Sequence, residues 1–116
     1  MQQSLTVVLE RNALLSGVFT TEPYEVAWAR EARWFIHVLD TRGTGTTLQA
    51  TTQISPDGLH WCDLDDHRPT VAGTGLVSWP VREFGGWLRL KGRVDGPAES
   101  GEQPAAKVMI YLALKS

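Results

Sequence analysis

The densest group of chemically capable side chains is His60, Cys62, Asp63, Asp65, Asp66 and His67. These residue types bind zinc or another divalent ion when they converge. On a strand, His60 and Cys62 would share a face, but His67 follows an Asp-Asp turn and the spacing matches no standard zinc or calcium loop. The expected state is a solvated acidic turn beside a small buried cysteine. Nucleophilic chemistry has little to build on. No Gly-x-Ser-x-Gly is present, and a pairing of Cys62 with His37 or His60 needs nothing beyond the coincidence of one cysteine and three histidines. Gly43-Thr44-Gly45 is too short to cradle a phosphate and is read as a hairpin turn requiring positive φ. A non-enzymatic protein without cofactor or metal is therefore expected.

Binding residues are more plentiful. Trp87, Arg89, Lys91 and Arg93 alternate along one strand face, which is either a solvated outer face or a groove for an acidic partner, with single-stranded nucleic acid the weaker option. Tryptophan is enriched at interfaces, and this chain has 5. Trp34 and Trp61 are expected inside. Trp79, beside the edge-marking Pro80, and Trp87, on the basic row, are expected outside.

The elements that would position these residues are strands. The 11 Gly and 6 Pro, with scattered Thr, cut the apolar segments into short pieces. Strands are expected at Leu5 to Glu10, Leu14 to Thr21, Tyr24 to Trp28, Arg33 to Thr41, Thr47 to Ile54, Leu59 to Leu64, Leu76 to Val81, Gly86 to Val94 and Lys107 to Leu114. The helix-prone stretch Glu25 to Phe35 is poorly capped and is read as strand, turn at Ala29 to Ala32, strand. Asp95 to Ala106, with Pro97, Gly101 and Pro104, is expected to be a mobile surface loop.

In Thr47 to Ile54, Leu48, Ala50, Thr52 and Ile54 share one face; in Gly86 to Val94, Leu88, Leu90 and Val94 do. Each suits one layer of a sandwich. Arg33 to Thr41 and Lys107 to Leu114 are apolar on both faces, as central strands or strands covered by a neighbouring subunit would be. The fold class is thus all-β: an antiparallel sandwich, jelly-roll-like, of eight or nine strands in one domain spanning residues 1–116.

Composition narrows the function classes. With 11 basic and 13 acidic residues the net charge is -2, which disfavours nonspecific nucleic-acid binding. No apolar run approaches the roughly 20 residues that span a bilayer, and Met1 to Leu15 is too polar for a secretory signal. A single cysteine excludes an internal disulfide. The hydrophobic content of 42% suffices for a core.

One local motif remains. Ser55-Pro56-Asp57-Gly58 is a hairpin signature in which Pro presets φ, Asp bonds its own backbone and Gly supplies positive φ. With Trp61, and with Gly45, Leu48 and Ile54 before it, this segment resembles small β-sandwich structural proteins of tailed bacteriophages. Gly86-Trp87-Leu88-Arg89-Leu90-Lys91 stands where such proteins carry a YVRVK-like strand. Several of those proteins look like capsid decoration or cement proteins. The resemblance implies a subunit clustered at a three-fold position on a phage or phage-derived shell, located in the virion or the host cytoplasm. Discoidin-type modules use a similar turn and would imply a sugar or lipid ligand, but the chain is short for that fold and lacks its paired cysteines.

The expected partners are therefore a second copy of the chain, with a trimer favoured by the resemblance, and a capsid or other shell protein. The expected contacts are Leu5, Val7 and Leu9 near the start, with Trp79, Trp87 and Arg89. The alternative is a carbohydrate- or ligand-binding module using exposed Trp79 or Trp87.

Overall fold

The computed structural model describes residues 2–97 and 102–116. Its strands are β1 (Ser4–Leu15), β2 (Gly17–Thr20), β3 (Tyr24–Glu25), β4 (Glu31–Arg42), β5 (Thr47–Ser55), β6 (Cys62–Asp63), β7 (Thr70–Ala72), β8 (Gly75–Val81), β9 (Trp87–Asp95) and β10 (Ala105–Lys115). All pairings are antiparallel, and among the described residues there is no helix.

Sheet A has the order β1-β10-β4-β8, and sheet B the order β2-β9-β5-β6, with β3 paired to β9 and β7 to β5. The pairings nest: β1 with β10, β2 with β9, β4 with β8, β5 with β7. That is one long hairpin rolled around a core, which is the jelly-roll arrangement the sequence pattern suggested. The two faces that point inward close over Trp34, Ile36, Leu48, Leu88, Leu90, Ile110 and Leu112, all essentially inaccessible to solvent. Each such side chain stabilises the fold by roughly 1.5–3 kcal/mol relative to exposure.

Most expected strands are present, and the differences have physical causes. Two expected segments, Leu5 to Glu10 and Leu14 to Thr21, are reorganised: β1 runs on to Leu15, and the chain then crosses between sheets at Gly17, where φ is 62°. Gly43 and Gly45 do adopt positive φ, yet β4 and β5 lie in different sheets, so this turn is a crossing rather than a hairpin. The expected strand Leu59 to Leu64 shrinks to β6, because the turn before it holds its backbone in local side-chain bonds. Strand β7 went unexpected; it resumes the same edge after Leu64, pairing with β5 over Thr70–Ala72. Of the loop expected at Asp95 to Ala106, residues 98–101 lie outside the described residues.

All the sheet edges are irregular. β1 carries two register shifts, with Asn12 at φ 51° and its N–H directed to Met109 Sδ at 3.3 Å. β8 carries Pro80, β6 and β7 are a broken edge, and β2 and β3 are two short pieces. Bulges, proline and short strands discourage edge-to-edge pairing, which leaves the faces and the ends for contacts.

Candidate functional site

The Ser-Pro-Asp-Gly segment forms the β5–β6 turn. Ser55 Oγ accepts the Gly58 N–H at 2.8 Å, and Asp57 Oδ1 accepts those of Leu59 and His60, both at 2.9 Å. His60 Nδ1 lies 2.7 Å from Asp57 Oδ2. The backbone N–H of His60 foremost, then its side chain and the Leu59 N–H, hold the Asp57 carboxyl well below the usual carboxylate range. Gly58 has φ 80° and lies on the Trp87 ring, 3.1 Å from where a Cβ would stand. The sequence reading of this turn holds. Ser55 Oγ and Asp57 Oδ1 are spent on the loop backbone, and Asp57 Oδ2 on the His60 ring.

The six candidate metal-binding residues do not converge. His60 is bonded to Asp57, Asp63 accepts from Gln53 and Arg68, and the His67 ring meets Trp79 edge-on at 6.2 Å. Cys62 is exposed, correcting the expectation of a buried thiol. Among the described residues, no group of three or more His, Cys, Asp or Glu could hold a metal ion.

The tryptophans are redistributed. Trp34 is buried as expected, with its Nε1 facing no acceptor among the described residues. Trp79 is 6% exposed and donates Nε1 to Thr52 Oγ1 at 3.2 Å, against the expectation that it lies outside. Pro80 does mark an edge strand, but neighbouring residues on a strand face opposite ways, so Pro80 points out and Trp79 in. Trp61, expected inside, is half-buried on the outer face of sheet B, because β6 begins only after it. Trp87 is half-buried under the Gly58 turn.

On the outer face of sheet B the basic row is partly absorbed. Arg89 lies over the Trp61 ring at 4.4 Å and donates Nε to Gln53 Oε1 at 2.8 Å. Gln53 Nε2 donates to Asp63 Oδ1 at 2.9 Å, and Arg68 Nη2 to Asp63 Oδ2 at 3.1 Å. This chain of bonds, centred on Gln53, had no motif to announce it; the signal was a polar residue at each outward position of β5. Lys91 and Arg93 remain on the surface.

The outer face of sheet A differs. In register across its strands run Val8, Tyr111, Phe35 and Ser78, and beside them Met109, His37 and Leu76. Val8, Phe35, His37, Met109 and Tyr111 are half-buried, and Leu76 is 63% exposed. Leu14, in the next row, is 50% exposed. β4 and β10 are thus central strands, and their outward side chains still form an apolar band. The expected contact residues do not gather on one surface. Leu5 and Val7 follow the inward register of edge strand β1, though Leu5 stays 43% exposed; Leu9 sits at the bulge and packs on the core, Trp79 is in the core, and Trp87 and Arg89 belong to the opposite sheet. On β1, burial and then the nearby Glu22 push the Glu10 carboxyl up.

No protein-family model and no curated protein matches the chain. Among solved structures, that of FLHE aligns with a TM-score of 0.43 and 16% identity, covering 99% of this chain and 95% of its own. Dimeric latent PorU from Porphyromonas gingivalis aligns with a TM-score of 0.31 and 11% identity; 99% of this chain is covered, and 10% of PorU. Among the described residues no helix is long and apolar enough to cross a membrane.

Proposed function

We propose that the domain is a non-enzymatic structural subunit that docks through the outer face of sheet A, both on copies of itself and on a larger shell. The observation behind this reading is the apolar band of Val8, Phe35, Met109, Tyr111 and Leu76 on a sheet whose other face already builds the core. A contiguous apolar patch on a small domain marks an interaction surface. The irregular edges favour face contacts over strand pairing, and closed cyclic assembly covers such a face. A phage or phage-derived capsid, with the domain as a decoration or cement-like protein, is the shell that the Ser-Pro-Asp-Gly resemblance points to. The carbohydrate alternative loses Trp79, which is inside.

Light scattering on the purified chain at micromolar concentration tests the proposal. The expected mass is a multiple of 12.8 kDa that falls to a single subunit in Tyr111→Glu or Phe35→Glu, with the β spectrum retained. A mass of one subunit in the unaltered chain, together with failure to co-sediment with any shell, would overturn it.

A further inference from the structure

At the end of sheet A where β4 begins, a groove of about 630 Å³ opens on the outer face. Its floor includes Phe35, Pro80 and Ala113, and its rim carries Arg30, Arg33, Arg82 and Lys115 with Glu31 and Glu83. Four cations face two carboxylates, on a chain whose net charge is -2. None of these six makes an ion pair with a described residue. Arg33 is held in place by its Nη1 bond to Ser78 Oγ at 2.9 Å, which leaves the rest of its guanidinium open. Glu83 sits at φ 56°, a left-handed conformation that non-glycine residues seldom adopt and that recurs where ligands bind. A second hollow, lined by Gln2, Gln3 and Ser4, shares Arg30, Glu31 and Lys115 and lengthens the groove.

We infer that this groove binds an acidic, extended peptide segment of a partner protein. Spaced carboxylates pair with the guanidinium groups of the rim, apolar side chains lie on Phe35 and Pro80, and the peptide's own N–H groups meet Glu31 and Glu83. A nucleic-acid backbone fits less well, because those two carboxylates would repel a continuous run of phosphates. The segment lies on the face instead of extending the sheet, since Pro80 on edge strand β8 offers no N–H to a further strand. The groove borders the docking face proposed above and rests on that reading only in that partners approach sheet A.

Fluorescence anisotropy with a fluorescein-labelled hexapeptide of alternating glutamate and leucine tests the inference. Saturable binding is expected at low salt, weakening at least about fivefold as ionic strength rises through the range in which the Debye length drops below about 10 Å. Arg33→Ser with Arg82→Ser should weaken it by about tenfold or more, whereas Lys91→Ser with Arg93→Ser, on the opposite sheet, should leave it unchanged. Matching melting curves for the variants and the parent chain show that the fold survives. Equal binding by the groove variant, no binding at low salt, or loss in the Lys91/Arg93 variant overturns the inference. So does equally tight binding of a thymidine hexanucleotide, which assigns the groove to nucleic acid. If the peptide dissociates an oligomer in light scattering, the occupant is a second copy and the separate acidic partner falls. A monomer that binds the alternating peptide keeps the groove while defeating self-association.

Discussion

The outer faces of the two sheets solve the same problem in opposite ways. On sheet B, Trp61, Arg89, Gln53, Asp63 and Arg68 bond or stack with one another, so this part of the face satisfies its own polar groups. On sheet A, the row through Val8, Tyr111 and Phe35 has no covering layer, and four cations at its end have no ionic partner among the described residues. A face that satisfies itself adds to stability, whereas the one that does not is the face we propose for binding. The cation row that stood out in the sequence belongs in part to the first kind.

The largest change to this contrast should come from Gly92, whose inward Cβ would stand 2.4 Å from the Phe19 ring and 2.8 Å from Gln49 O. Gly92→Val should cost about 3 kcal/mol in urea denaturation, since a strand backbone cannot move aside. Trp79→Phe should cost about 2 kcal/mol, because the Thr52 hydroxyl loses its buried donor and a void remains. Gln53→Ala should cost about 1.5 kcal/mol by removing the bridge between Arg89 and Asp63. Leu76→Ser, on the other face, should change the stability of the isolated subunit by no more than about 0.5 kcal/mol while weakening its association. Equal stability losses at Gln53 and Leu76 would erase the distinction between the faces.

A smaller effect should appear as pH dependence. The folded pKa of Asp57 is depressed below 3.8, so its contribution is present above that pH and is lost as pH falls through the folded value. Melting temperatures of the parent chain and Asp57→Asn should therefore differ by a constant amount at neutral pH and converge in strong acid. A difference that grows on acidification would contradict the bonding of the turn. The smallest effect is expected at Arg68, half of a partly exposed ion pair with Asp63. Arg68→Ala should cost about 0.5 kcal/mol or less, and less still in about 1 M salt, which screens the ion pair but not the bonds of Nη1 to the Asp65 and His67 carbonyls.

Local chemistry carried much of the fold into the sequence. Gly58 at positive φ, Asp57 bonding its own backbone and the inward set Leu88, Leu90 and Val94 all follow from turn residues and period-two alternation, which are properties of a few neighbouring residues. The two-sided apolar character of β4 and β10 was legible for the same reason.

What tertiary structure decided depends on residues far apart in the chain. Trp79 could be assigned to a face only once β8 was paired with β4 in a definite register, because a one-residue slip reverses every side chain. The Gly43 to Gly45 turn looks the same whether it joins two strands of one sheet or crosses to the other. Arg89 and Gln53 meet across β5 and β9, and Arg30, Arg33, Arg82 and Lys115 reach one groove from separate segments. Sequence alone determined which residues turn, alternate and avoid water. Which of them meet was set by the rolled pairing of distant strands, since those contacts arise from long-range register rather than from any local pattern.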